Sequence, residues 1–292
     1  MRKGRFILAI FALVLVFMVA SCGQSEEAGG KIGVVVTLLP QAEFVESIGG
    51  EKVDIIVMVP PGASPHTYEP TPSQMTALAG AEMYARVGSG VEFELVWMDK
   101  LLATNKDMLV VDCSQGIELQ EMVKEHEHGH GALDPHIWMS PRNAQIMVQN
   151  IYEGLVQIDP DNRAYYEQNR DAYFQKLTQL DQDIRGGLSE VTNRSFMVYH
   201  PAFGYFAREY NLIMLPIEKD GKEPTPAGLT HLIEQAKEHD IKVVFAEPQF
   251  NPQSAEVIAV AIDGRVVFID SLARNYVVNM RSLLDELIQV ME

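Results

Sequence analysis

Asp161 to Val191 reads DNRAYYEQNRDAYFQKLTQLDQDIRGGLSEV, and its spacing decides the architecture of the chain. Tyr166, Tyr173, Leu177, Leu180, Ile184 and Leu188 recur three, four or seven residues apart, which puts them on one face of an α-helix. A helix of about 30 residues is about 45 Å long at 1.5 Å per residue, enough to run the length of two small domains. Gly186 and Gly187 stand only near its end. A hinge would show short Gly- or Pro-rich crossovers instead, so the stretch predicts a stiff spine. A second helical segment, Pro141 to Gln157, precedes it, and the two make a helical spine over 141–192.

On either side, strand and helix patterns alternate, which indicates α/β architecture. The first set has strands at Ile32–Leu38, Val53–Val59, Met83–Val87 and Met108–Val111, with helices over about Gln41–Ile48, Pro72–Ala79 and Phe93–Ala103. The second has strands at Phe196–Tyr199, Leu212–Ile217, Lys242–Ala246 and Val266–Ile269, with helices at Pro226–His239, Pro252–Ile262 and about Tyr276–Val290. The expected fold is therefore two similar α/β lobes, 32–140 and 193–292, joined by a long rigid helix. Each lobe is expected to carry its own core.

The N-terminus reads as a targeting segment. Arg2, Lys3 and Arg5 precede the apolar run Phe6 to Ala20, which is too short to span a bilayer comfortably. Residues 1–21 are expected to be a signal peptide. Val19-Ala20-Ser21-Cys22 resembles a bacterial lipobox, so Cys22 would carry the lipid and 22–31 would be a polar tether. Cys113 follows an apolar run and reads as a buried, inert thiol. The formal net charge is -17, which argues against nucleic acid and for cation attraction.

Three histidines stand beside prolines in unlike settings. They are His66 in Ser64-Pro65-His66-Thr67-Tyr68, His136 in Asp134-Pro135-His136-Ile137-Trp138, and His200 in Tyr199-His200-Pro201-Ala202-Phe203-Gly204-Tyr205-Phe206. Imidazole is the commonest metal ligand, and an adjacent proline limits the backbone freedom lost on binding. Three imidazoles and one carboxylate would make a four-coordinate Zn²⁺ or Mn²⁺ site. His66, His200 and Asp270 each follow a predicted strand, the edge at which open α/β sheets bind ligands. Two candidate ligands come from each half of the chain, His66 and His136 from the first and His200 and Asp270 from the second, so the metal is expected in the cleft between lobes. Two carboxylates compete for the fourth place: Asp270, which could equally cap the next helix, and Glu247 in Phe245-Ala246-Glu247-Pro248-Gln249. Tyr199, Tyr205 and Trp138 would wall the site, and His231 and His239 read as surface groups.

The His200, His136 and Glu247 motifs together resemble those of the zinc/manganese solute-binding proteins of ABC transporters, the cluster A-I metal receptors, over about residues 31 to 292. The resemblance implies two lobes on a rigid backbone helix with the metal buried between them. It implies His66, His136, His200 and Asp270 as ligands, and it leaves Glu247 to orient an imidazole by hydrogen bond. Some manganese binders of that family carry glutamate at the third histidine position; His200 here favours Zn(II), with Mn(II) the alternative. Glu125-His126-Glu127-His128-Gly129-His130 resembles the His- and acid-rich loop of zinc members, and His126, His128 and His130 are candidates for a weaker accessory site. The function implied is an extracytoplasmic, lipid-anchored, monomeric receptor on the periplasmic or cell-surface side. It would pass its metal to a membrane permease driven by a cytoplasmic ATPase, without catalysis. A zinc hydrolase would keep a ligand position open for water, and no H-E-x-x-H helix is present. A metal-dependent surface adhesin is the remaining alternative.

Overall fold

The computed structural model describes residues 30–122, 133–219 and 221–291. Cys22 and the proposed signal peptide lie outside the described residues, as do His126, His128 and His130. Two four-stranded sheets, all parallel, share one topology. The first holds β1 (Ile32–Val36), β2 (Val53–Val57), β3 (Met83–Arg86) and β4 (Leu109–Asp112) in the order β2-β1-β3-β4. The second holds β5 (Ser195–Val198), β6 (Ile213–Pro216), β7 (Val243–Ala246) and β8 (Arg265–Phe268) in the order β6-β5-β7-β8. In each sheet the chain leaves the first strand to one side and returns on the other. That reversal opens a crevice at the carboxyl ends of β1 and β3, and of β5 and β7. The central strands are continuous apolar runs because helices cover both faces; β5 and β7 are buried at every residue.

The crossovers are α1 (Leu39–Gly49), α2 (Pro72–Leu78) and α3 (Glu92–Thr104) in the first lobe. In the second they are α6 (Gly204–Glu209), α7 (Pro226–Glu238) and α8 (Gln253–Ala261), with α9 (Tyr276–Met291) closing the chain. Between the lobes run α4 (Pro141–Ile158) and α5 (Arg163–Gly187). The spine is shorter than its sequence pattern suggests. Pro160–Asn162 forms a 3-10 turn before α5, and the helix stops at Gly187, giving 25 residues rather than about 30. Its buried face is Tyr166, Tyr173, Leu177, Leu180 and Ile184, as the spacing requires. Gly187, the last residue of the helix, meets α9 at close quarters: a Cβ there would sit 2.8 Å from Ile288 Cδ1 and 3.1 Å from Leu284 Cδ1.

The lobes do not carry separate cores. One apolar cluster runs from β1 and α1 through α4 and α5 into β5, α6 and α9. Its centre is a trio of rings: Phe44 of α1 packs on Tyr173 of the spine at 6.1 Å and edge-on against Tyr276 of α9 at 5.1 Å. A smaller cluster fills only the far face of the second sheet, around Met197, Val244 and Ile258. Residues from Ile32 onward accordingly form one compact unit. Polar groups along the spine are tied down as well. Tyr173 Oη donates to Glu43 at 2.7 Å, and Arg281 of α9 pairs with Asp183 at 2.6 Å.

Because both lobes share this core, Tyr173→Ala should destabilise the whole molecule by about 3–5 kcal/mol, the usual cost of emptying a buried aromatic site. Urea denaturation followed by tryptophan fluorescence and by circular dichroism should show one transition, displaced equally in both signals. Two separated transitions would mean that the lobes fold independently.

Candidate metal centre

His66 lies on the loop from β2 to α2. The loop is closed at its base by Gln74, whose Nε2 donates to Val57 O and Met58 O at 2.9 and 2.7 Å. Thr71 caps α2 and Gly62, at φ +78, turns the chain. Within the loop, Thr67 and Tyr68 N–H both donate to Ser64 O, which folds Pro65-His66 outward from a tight turn. His136 opens a 3-10 turn, Ile137–Met139, just ahead of α4, which Ser140 caps and Pro141 starts. His200 leaves the carboxyl end of β5 at the crevice, beside Glu247 at the end of β7. Ala202 N–H bonds back to His200 O at 2.8 Å, a sharp turn that Pro201 suits.

These three segments bring three imidazoles together, His66 and His136 each edge-on to His200. His136 Nε2 lies 3.1 Å from His200 Nε2, and His66 Nε2 lies 3.4 Å from His200 Nε2. Among the described residues, the three form the one group of potential ligands whose donor atoms all lie within 4.8 Å of one another. Each ring is held from behind by a carboxylate on Nδ1. Glu92 holds His66 at 3.1 Å, Asp134 holds His136 at 2.8 Å, and Glu218 holds His200 at 3.1 Å. A carboxylate only accepts, so Nδ1 carries the proton and Nε2 keeps its lone pair. Three lone pairs pointing at one another repel unless a cation lies between them. At a Zn–N length of about 2.0–2.1 Å, tetrahedral ligands stand about 3.3–3.4 Å apart. The two spacings to His200, 3.1 and 3.4 Å, lie close to that edge, so the donor set suits Zn²⁺.

The environment keeps the site neutral inside and negative outside. His136 and His200 are buried and His66 is one-third exposed at its side chain. Burial pushes the His200 pKa down, against the pull of Glu218, so its imidazole stays unprotonated at pH values where a free histidine charges. Glu92 starts α3, whose first turn is anchored by the buried Glu94. That carboxylate accepts from Val87 N, Gly88 N and Thr37 Oγ1 at 2.6, 2.9 and 2.5 Å, and burial raises its pKa.

The carboxylates at the second lobe's edge differ from expectation. Asp270 is not drawn into the histidine group. Its Oδ1 accepts from Gln249 Nε2 at 2.8 Å and Leu272 N–H at 2.9 Å, a turn-forming role that Asp takes readily. Glu247 does not orient an imidazole: its Oε2 accepts the backbone N–H of His200 at 3.3 Å, and Glu218 takes the ring. Glu247 is fully buried, and burial raises its pKa well above the usual range. Sequence reading missed Glu92 and Glu218, and it quoted Asp134 without assigning it a task. Only Asp134 left a signal, two residues before His136. Of the expected walls, Trp138 meets His136 edge-on at 5.3 Å, whereas Tyr199 turns its hydroxyl to Glu223 and Phe250 stacks on His200 at 4.8 Å. Trp138 Nε1 also donates to Ser271 O at 2.8 Å, tying the His136 turn to the segment after β8. His239 lies at the opposite end of the sheet, bonded to Ser195.

Twin parallel α/β lobes on a shared helical spine, with convergent imidazoles between them, define a two-lobed metal-binding receptor. The chain belongs to the family described as zinc-uptake complex component A, periplasmic, whose sequence profile matches residues 34–290. The high-affinity zinc uptake system protein ZnuA of Bacillus subtilis (strain 168) is 34% identical over 286 residues, covering 92% of this chain and 88% of that protein. The zinc-binding lipoprotein AdcA of Streptococcus pneumoniae (strain ATCC BAA-255 / R6) is 30% identical and covers 89% of this chain, but only 53% of its own length is matched. A crystal structure of ZnuA superposes with a TM-score of 0.85 at 39% identity, covering 90% of this chain and all of that one. A mutant of the laminin-binding adhesin Lmb from Streptococcus agalactiae superposes at 0.80 with 26% identity, covering 89% of this chain.

Removing the carboxylate behind a ligand should cost about 10- to 100-fold in metal affinity. Glu218→Gln should therefore weaken zinc by that factor in a chelator competition, and His200→Ala by more, with the far-ultraviolet dichroism of both variants unchanged. Unaltered zinc affinity in His200→Ala would remove the centre from this position.

Proposed function

We propose that the protein is the extracytoplasmic solute-binding component of a metal ABC importer, which captures Zn(II) and delivers it to a membrane permease driven by a cytoplasmic ATPase. The observation that carries this reading is the convergence of three Nε2 atoms, each fixed by its own carboxylate. Named zinc-uptake relatives over nearly the whole chain support it. Its chemistry is capture and release, without turnover. A nitrogen-rich donor set favours Zn(II) over Mn(II). Elemental analysis of protein purified without chelator, followed by competition between the two ions, tests the choice: equal or tighter Mn(II) binding would make manganese the cargo.

His66, His136 and His200 are the proposed ligands, and Asp270 is the proposed fourth donor. Its Oδ1 accepts two hydrogen bonds, so Oδ2 would be the oxygen offered to the ion. A ligating carboxylate also partly neutralises the cation. Asp270→Ala should therefore weaken zinc more than Glu247→Ala, by over 100-fold against about 10- to 100-fold. The reverse order would exchange their roles. His126, His128 and His130 would add at most a weaker second equivalent, because a loop ordered on binding loses entropy.

The anchor is proposed at Cys22 on the lipobox pattern, with the receptor monomeric. Among the described residues no helix is long and apolar enough to cross a membrane. Cys22→Ser should release the protein into the soluble fraction or block its processing, read by membrane fractionation; equal retention would contradict lipidation.

A further inference from the structure

The contact between Asp134 and α6 is closer than any side chain would allow. Asp134 is only 2% exposed, and three hydrogen bonds hold its carboxylate. Its Oδ1 accepts from His136 N at 3.0 Å and pairs with His136 Nδ1 at 2.8 Å, while its Oδ2 accepts from Gln120 Nε2 at 3.1 Å. Against that carboxylate, from the other lobe, stands Gly204. A Cβ on Gly204 would lie 2.3 Å from Asp134 Oδ2 and 3.1 Å from Gln120 Nε2. A carboxylate held by three bonds cannot swing aside as a free side chain would. The next residue adds a second tie across the lobes: the buried Tyr205 accepts Gln120 N–H on its hydroxyl at 3.1 Å. Gln120 is in turn joined to Asp134 through the backbone, Asp134 N–H donating to Gln120 O at 2.8 Å.

Gly204 lies four residues beyond His200, at the end of the same tight turn. One short segment of the second lobe thus presents a ligand to the ion and also bears on the carboxylate that orients a ligand of the first lobe. We propose that Gly204 and Tyr205 are positioning residues that set the separation of His136 Nε2 and His200 Nε2 by clamping the Gln120–Asp134 pair. The clamp acts through His136 and so rests on the assignment of His136 as a ligand. Neither residue touches the ion. Their effect is to fix the 3.1 Å spacing before metal arrives.

The test compares Gly204→Ala, Tyr205→Phe, Asp134→Asn and the double variant Gly204→Ala/Asp134→Asn, with His136→Ala as reference. Zinc affinity is read by chelator competition, ligand geometry by the visible absorption of the Co(II)-substituted protein, and integrity by the thermal midpoint without metal. Gly204→Ala should lose about 10- to 100-fold in zinc affinity, as loss of an orienting hydrogen bond does, and should alter the Co(II) spectrum. Because both act through one contact, the double variant should be little worse than Asp134→Asn alone. Tyr205→Phe keeps the ring packing and should lose several-fold with an unchanged thermal midpoint, so it decides the matter if Gly204→Ala fails to fold. Unchanged zinc affinity and Co(II) spectrum in Gly204→Ala, or in Tyr205→Phe, would overturn the clamp. So would additive losses in the double variant. Full zinc affinity in His136→Ala would overturn the ligand assignment itself.

Discussion

The centre depends on a hydrogen bond made three times: a carboxylate oxygen accepting from the Nδ1 of an imidazole. A neutral histidine has two tautomers, and only one leaves Nε2 free to donate a lone pair. Glu92, Asp134 and Glu218 choose that tautomer and fix each ring's rotation. They also surround a neutral donor set with negative charge, which offsets part of the cost of bringing a divalent ion out of water. Remove the carboxylates and the same three rings become ordinary polar groups, free to turn away or to bond one another.

The architecture serves to keep those pairs in register. His66 with Glu92 and His136 with Asp134 come from the first lobe, and His200 with Glu218 from the second. Their alignment therefore requires a fixed relation between two sheets that share no strand. The ring trio Phe44, Tyr173 and Tyr276 supplies it within the core, and the Trp138–Ser271 bond supplies it beside the imidazoles. A packed aromatic junction is a poor hinge, since sliding one ring opens voids beside the others.

Much of this was legible in the sequence, for physical reasons that also explain what was not. The spine announced itself because a helix buried on one side must repeat its apolar residues at helical spacing. Its ends were less visible: Pro160 permits either a first helical turn or a 3-10 turn, and the close approach of α9 at Gly187 is a contact between residues remote in sequence. Strand ends were overrun by a residue or two, as at Leu38 and Val59. A strand ends where its ladder partner does, and that partner is remote in sequence. The histidines stood out by their prolines. Glu92 and Glu218 did not, because a carboxylate 26 or 18 residues from its imidazole looks like any surface acid. Asp270 and Glu247 show the converse: each ends a strand beside the crevice, yet one braces a turn and the other a backbone N–H.

The unbroken core has a thermodynamic corollary. An ion that binds only the folded state shifts the folding equilibrium by RT ln(1 + [L]/Kd), about 4.1 kcal/mol when free ion is a thousandfold above Kd. In a molecule built of two separately folding halves, that gain would protect only the cooperation between them. Here it is distributed over every residue that shares the core, from β1 to α9. Cargo and scaffold are thus one cooperative system: the loaded receptor resists unfolding and proteolysis as a whole, and the empty one is uniformly the weaker substrate for survival.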